Sequence, residues 1–154
     1  LRFMPGVYHE DAEFTPRMLY AAKTVQVIPE IIYKVYQDPN GITQVPRAKR
    51  AFDYLKVAES LSKFVVEKRE LGTPIGKAID NITAQDINNA FSIIIKNSRE
   101  EQCKLNQVFF EKRDVLMRVL KDASQWKYRL EAFFFLLFPK HYVWVYKKMK
   151  KFSR

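Results

Sequence analysis

Hydrophobic positions change period along the chain. In TVQVIPEIIYKVYQ, residues 24–37, Val25, Val27, Ile31, Tyr33 and Val35 follow a two-residue period. β-Branched and aromatic residues dominate there, as in strands. Two short strands are predicted, about 24–28 and 31–36, hinged at Pro29. The proline excludes a central strand at that point. DPNG, residues 38–41, reads as a turn. Upstream, Thr15-Pro16 before RMLYAAK predicts a helix start that fades by Lys23, because Thr can cap free amides and Pro is tolerated in the first turn.

From Pro46 the period becomes helical. Tyr54, Ala58, Leu61 and Val65 recur at spacings of four, three and four, which predicts a helix over about 47–70 ended by GTPIG, residues 72–76. Thr83-x-x-Asp86 and Ser98-x-x-Glu101 both read as capping boxes. The first precedes Ile87, Phe91, Ile94 and Ile95; the second precedes Leu105, Val108, Phe109, Leu116 and Leu120. Ser124 can cap a helix carrying Leu130, Phe133, Phe134 and Leu137, which Pro139 stops; a last helix reaches about Lys150. The expected fold is mainly α: a helical, bundle-like domain with a short two-strand β element near the N-terminus. Two short strands are not stable alone. They must lie on these helices or on a sheet outside this chain.

Composition sharpens this picture. The chain has 154 residues, 47% of them apolar and 14% aromatic, with only 4 glycines. That is enough for one domain with a real core, and too little glycine for a hairpin-rich fold. Cys103 is the only cysteine, so no internal disulfide or Cys/His zinc cluster forms. It reads as a small core residue on a helix. The longest apolar run, Ala132–Phe138, is far short of the roughly 18–20 residues of a membrane span.

His9-Glu10-Asp11 carries the candidate chemistry near the start. Acids just upstream of a helix N-terminus are favoured by the helix dipole. Alternatively, in an extended segment adjacent side chains point to opposite faces. One acid could then enter a pocket and act as a general base. Spacing alone leaves both readings open.

The ordered series in FMPGVYHEDAEFTPRMLYAAKTVQVIPEIIYKVYQDPNGIT bears on that choice. An aromatic and Gly lead to Glu10-Asp11, with Phe14 three residues on. An alternating segment with Tyr33 and Tyr36 follows, then a polar turn and Ile42-Thr43. This stretch, about 3–45, resembles the distal part of the catalytic domain of family 2 glycosyltransferases with the GT-A fold. The resemblance implies polysaccharide-type chemistry from a nucleotide-sugar donor. Asp11 would be the base that deprotonates the acceptor hydroxyl, Glu10 would support the site, and His9 would sit beside it near the diphosphate. Attack at the anomeric carbon would invert it.

Such enzymes hold the nucleotide in an N-terminal α/β half, with an Asp-x-Asp motif placing a divalent metal, Mg or Mn, on the diphosphate. This chain has no Asp-x-Asp, and Gln125-Trp126 with Arg129 does not reproduce the Gln-x-x-Arg-Trp motif of processive members. The expectation is therefore a C-terminal fragment of a larger, non-processive enzyme, inactive alone and binding no cofactor itself. Residues 1–45 would be the catalytic remnant and 46–154 the helical region. Its partners would be the missing nucleotide-binding half, a nucleotide sugar and a glycan or lipid-linked acceptor. A homodimer could form through the surface left uncovered. The alternative is a non-catalytic helical module that docks on a membrane or a protein.

Charge separates off the C-terminal end. Of the formal net charge of +10, the stretch from Trp126 to Arg154 carries eight Lys/Arg and one acid, +7. Trp126 and Trp144 are interleaved there with Lys147, Lys148, Lys150 and Lys151. Such a mixture suits a lipid headgroup interface. It also suits aromatics in a core beside a solvated lysine tail. No nucleic-acid module appears, so a nucleic-acid partner is not expected. The resemblance favours the membrane reading: a cytoplasmic enzyme peripheral on the inner face of a bacterial plasma membrane.

Overall fold

The computed structural model describes residues 1–34, 36, 41 and 47–152. Among these, seven helices follow in order: α1 (Glu10–Ala21), α2 (Ala48–Glu67), α3 (Pro74–Ile94), α4 (Arg99–Glu111), α5 (Arg113–Asp122), α6 (Trp126–Leu137) and α7 (Tyr142–Phe152). The mainly helical expectation holds. The strand pair does not: no strand lies among the described residues, and 22–34 run irregularly. A strand needs the N–H and C=O groups of a neighbour, and no described residue pairs with this segment as a strand. Residues 38–40 of the expected turn, and Ile42-Thr43, lie outside the described residues.

Helix boundaries show where local chemistry wins. α1 starts five residues before Thr15, with Glu10, Asp11 and Glu13 in its first turn and Pro16 inside it. Three acids complement the N-terminal dipole, which outweighs the interior proline. α3 starts at Pro74, not after Thr83. Thr73 Oγ1 accepts from Gly76 N at 3.0 Å, and Pro74 occupies the first turn. Thr83 is interior, its hydroxyl donating to Ile79 O at 2.8 Å. A mid-helix Thr bonded four residues back has the same sequence signature as a cap. Ser98-Glu101 is a true capping box. The helix it starts breaks at Lys112, whose ammonium reaches Glu59 of α2, and resumes as α5. Ser124 does not cap α6. Asn81 of α3 donates to Ser124 Oγ at 2.6 Å and accepts from Ser124 N at 3.0 Å, clamping the α5–α6 turn.

α2 is central and packs most extensively on α3. Ala51, Leu55 and Ala58 meet Ile87, Phe91 and Ile94, and the core continues through Leu105 and Phe109 to Leu116 and Leu120. A linked set of rings closes it: Phe91 lies 5.3 Å from Phe135 and 5.3 Å from Tyr146, and Phe109 lies 4.6 Å from Tyr142. Each fully buried ring contributes on the order of 1.5–3 kcal/mol. A second, smaller core of Val57, Leu61, Phe64, Val65 and Ile79 takes Ala12 and Tyr20 of α1. Cys103, expected inside, is exposed on α4; its helix turns Leu105 and Phe109 inward instead.

Candidate functional site

The N-terminal segment is held on α2 by charge. Asp53 is fully buried yet accepts from Tyr8 N at 3.0 Å and Lys56 Nζ at 3.0 Å, and Lys49 also pairs with it. Burial pushes the Asp53 carboxyl up, but these donors together hold it below the usual carboxylate range. Lys49 also donates to Gly6 O at 3.0 Å. Gly6 has φ 73, a turn that favours glycine.

The next turn places His9. Its backbone is left-handed, φ 64, immediately before α1. For a side chain with Cβ that conformation costs on the order of 1–2 kcal/mol. Two contacts hold it: the imidazole stacks on Tyr54 at 4.0 Å, and Arg50 Nε donates to His9 Nε2 at 3.2 Å. Burial, then the Arg50 charge, lower its pKa. The ring is neutral near pH 7, as an acceptor must be.

Glu10 and Asp11 then project from the first turn of α1, both exposed. The extended geometry considered for them is absent: the structure makes them helical. Two residues on, Glu13 is buried and accepts from Arg17 at 2.6 Å and Ser60 at 2.8 Å. Tyr20 donates to Glu70 at 3.1 Å. These bonds fix the roll of α1 on α2, and hence the direction of the acids.

Asp86 completes the group. Expected to cap a helix, it is instead buried inside α3, and its Oδ2 has no hydrogen-bond partner among the described residues. Burial pushes its carboxyl up to about 7, and the Asp11 charge adds to that. Burial, then Asp86, push the Tyr54 hydroxyl up. The site thus joins an exposed carboxylate to a buried acid and a neutral histidine. Arg50, Tyr54 and Asp86 come from elements distant in sequence; Tyr54 was marked only by its apolar spacing, Asp86 only as a capping-box acid, and Arg50 by nothing.

Comparison with family models, curated proteins and solved structures finds no match.

The basic aromatic end divides in two. Phe135, Tyr142 and Tyr146 are core. Trp126 is 74% exposed, Trp144 50% and Phe133 54%. Lys148 and Lys151 are exposed, and Lys148 Nζ stands 5.6 Å over the Trp144 ring. Lys147 differs: it is half-buried and donates to Gln102 of α4 at 2.6 Å. Lys150 donates to Ser92 Oγ at 2.8 Å. No helix among the described residues is long and apolar enough to cross a membrane.

Proposed function

We propose that this chain is the C-terminal part of an inverting family 2 glycosyltransferase, with Asp11 as the base. The observation that carries the reading is the strained His9 turn. Backbone strain in a folded protein clusters where geometry must be set. Here Tyr54 and Arg50 hold that strain immediately before an exposed Glu10-Asp11 pair. Asp11 would take the proton of the acceptor hydroxyl. The acceptor oxygen would bond to the anomeric carbon as the bond to the diphosphate oxygen breaks, with inversion. Glu10 would complement the amides of the first turn. His9 would act as a positioning residue; with Nε2 engaged by Arg50, contact with the diphosphate would fall to Nδ1.

The uncovered segment after α1 supports the same reading. Val27 is 90% and Ile31 83% exposed, and an alternating apolar stretch of this kind fits the edge of a sheet supplied by a nucleotide-binding half. Among the described residues no group of three His, Cys, Asp or Glu side chains is placed to hold a metal. The divalent ion that the resemblance calls for would be held with the donor, by that half.

The test is made in the protein encoded by the whole reading frame. Asp11→Asn should lower transfer by roughly 10²–10⁴-fold while donor binding, followed by calorimetry, stays within about twofold. Normal turnover excludes Asp11 as the base. Turnover of a nucleotide sugar by residues 1–154 alone excludes the fragment reading.

A further inference from the structure

α6 is apolar on both sides. Tyr128, Ala132 and Phe135 turn inward. Trp126, Leu130, Phe133 and Leu137, at spacings of four, three and four, form an exposed outer stripe. A helix apolar all round is normally covered all round, and nothing among the described residues covers this stripe. Phe138 extends it, edge-on to Trp144 of α7 at 5.7 Å. Beside it a groove of about 1000 Å³ opens between α3, α6 and α7, walled by Leu130, Phe134, Trp144 and Met149. Its rim carries Lys127 and Lys148, and its lining includes the buried Glu131, whose Oε1 has no partner among the described residues.

We infer that this face seats on an anionic phospholipid bilayer, with α6 lying in the interface and the groove receiving an acyl chain. Two arguments select lipid. The first is charge. Lys127 on α6, and Lys148 and Lys151 four and seven residues after Trp144 on α7, are exposed beside the stripe, so the occupant is anionic. A second copy, meeting this patch by two-fold symmetry, would set these lysines against themselves. The second is side-chain type. Tryptophans and lysines around aliphatic residues match the headgroup level, where an amphipathic ring has one end in hydrocarbon and one in water. The contact is interfacial, since no described helix can span. It stands whether or not Asp11 is a base.

The molecule carries its own reporter. Both tryptophans of the chain, Trp126 and Trp144, lie on this face, whereas the uncovered apolar residues 24–34 contain none. Vesicles of phosphatidylcholine, with or without about 30% phosphatidylglycerol, are titrated into the 154-residue chain. Anionic vesicles should blue-shift the tryptophan emission, and brominated acyl chains should quench it. Phe133→Ser should weaken binding by roughly tenfold or more, and the pair Lys148→Glu and Lys151→Glu by roughly thirtyfold or more, with the helical circular dichroism unchanged. Salt at about 0.5 M should weaken it too. Equal binding to neutral vesicles overturns the proposal. So does vesicle binding that leaves the tryptophans unquenched, since that places the contact elsewhere. A dimer abolished by Phe133→Ser, without vesicle binding, assigns the face to a second copy and also overturns it.

Discussion

At the residue scale, two buried acids set the pH response. Burial pushes Glu131 up to about 8 from its ordinary 4.5, although Asn88 beside it and then Lys127 favour the charged form. The unfolded chain therefore releases this proton near pH 4.5 while the folded chain keeps it to about pH 8. Between those values the native state binds more protons, so stability falls as pH rises. The slope is about 1.4 kcal/mol per pH unit from this group at full effect. Asp86, raised to about 7, acts in the same direction below that pH. Gln is the shape of a protonated Glu and never ionises. Glu131→Gln should therefore match the parent near pH 5 and exceed it by about 2–4 kcal/mol at pH 8. Urea melts at the two pH values measure this; parallel pH profiles for parent and variant would mean that Glu131 is ionised in the fold.

At the element scale, the α2–α3 turn shows what a local motif can and cannot reveal. GTPIG announced a break, and the break is there, but its two glycines do different work. Gly72 has φ 77, which a side chain resists. Gly76 is helical, and a Cβ on it would stand 1.9 Å from Glu70 O. The obstacle is the backbone of Glu70 in the α2–α3 connection, lying against the first turn of α3, so no side chain can move aside. Gly76→Ala should destabilise by about 1–3 kcal/mol, read as a lower denaturation midpoint, although alanine in an open helix position would stabilise. The sequence marks such a turn but not the approach that requires the glycine. The same division runs through the molecule. The α2 stripe and the Ser98 box were legible because both are local. Thr83-x-x-Asp86 was misread because a back-bonded threonine and a cap look alike. Asp11 and Glu10 were marked as candidates only by an ordered resemblance. Arg50, Tyr54 and Asp86 were not legible as parts of one group, because tertiary packing alone brings Arg50 and Tyr54 to His9 and Asp86 close to Asp11 and Tyr54. The period-two segment was legible as apolar, but its expected strands were not found among the described residues, because pairing is a property of a neighbour.

At the scale of the whole molecule, two uncovered apolar faces coexist and their surroundings differ. The α6–α7 face is bordered by lysines. Residues 24–34 carry one Lys and one Glu among exposed Val25, Val27, Ile31, Ile32 and Tyr33, a nearly neutral apolar surface. A patch of that kind associates with whatever apolar surface it meets, and in a solution of the isolated chain that is another copy. The formal charge of +10 keeps copies apart at low salt through mutual repulsion. Screening removes the repulsion without weakening apolar contact. Self-association of the 154-residue chain should therefore strengthen as salt rises, the opposite of lipid docking. Val27→Ser with Ile31→Ser should abolish it at little cost in stability, since both side chains are exposed in the monomer. Sedimentation velocity at low and high salt is the measurement. A dimer that weakens with salt, or that survives both substitutions, would place the contact outside this segment. The opposite salt dependences keep the two surfaces separable in one preparation: association of copies reports the segment 24–34, and vesicle binding reports the α6–α7 face.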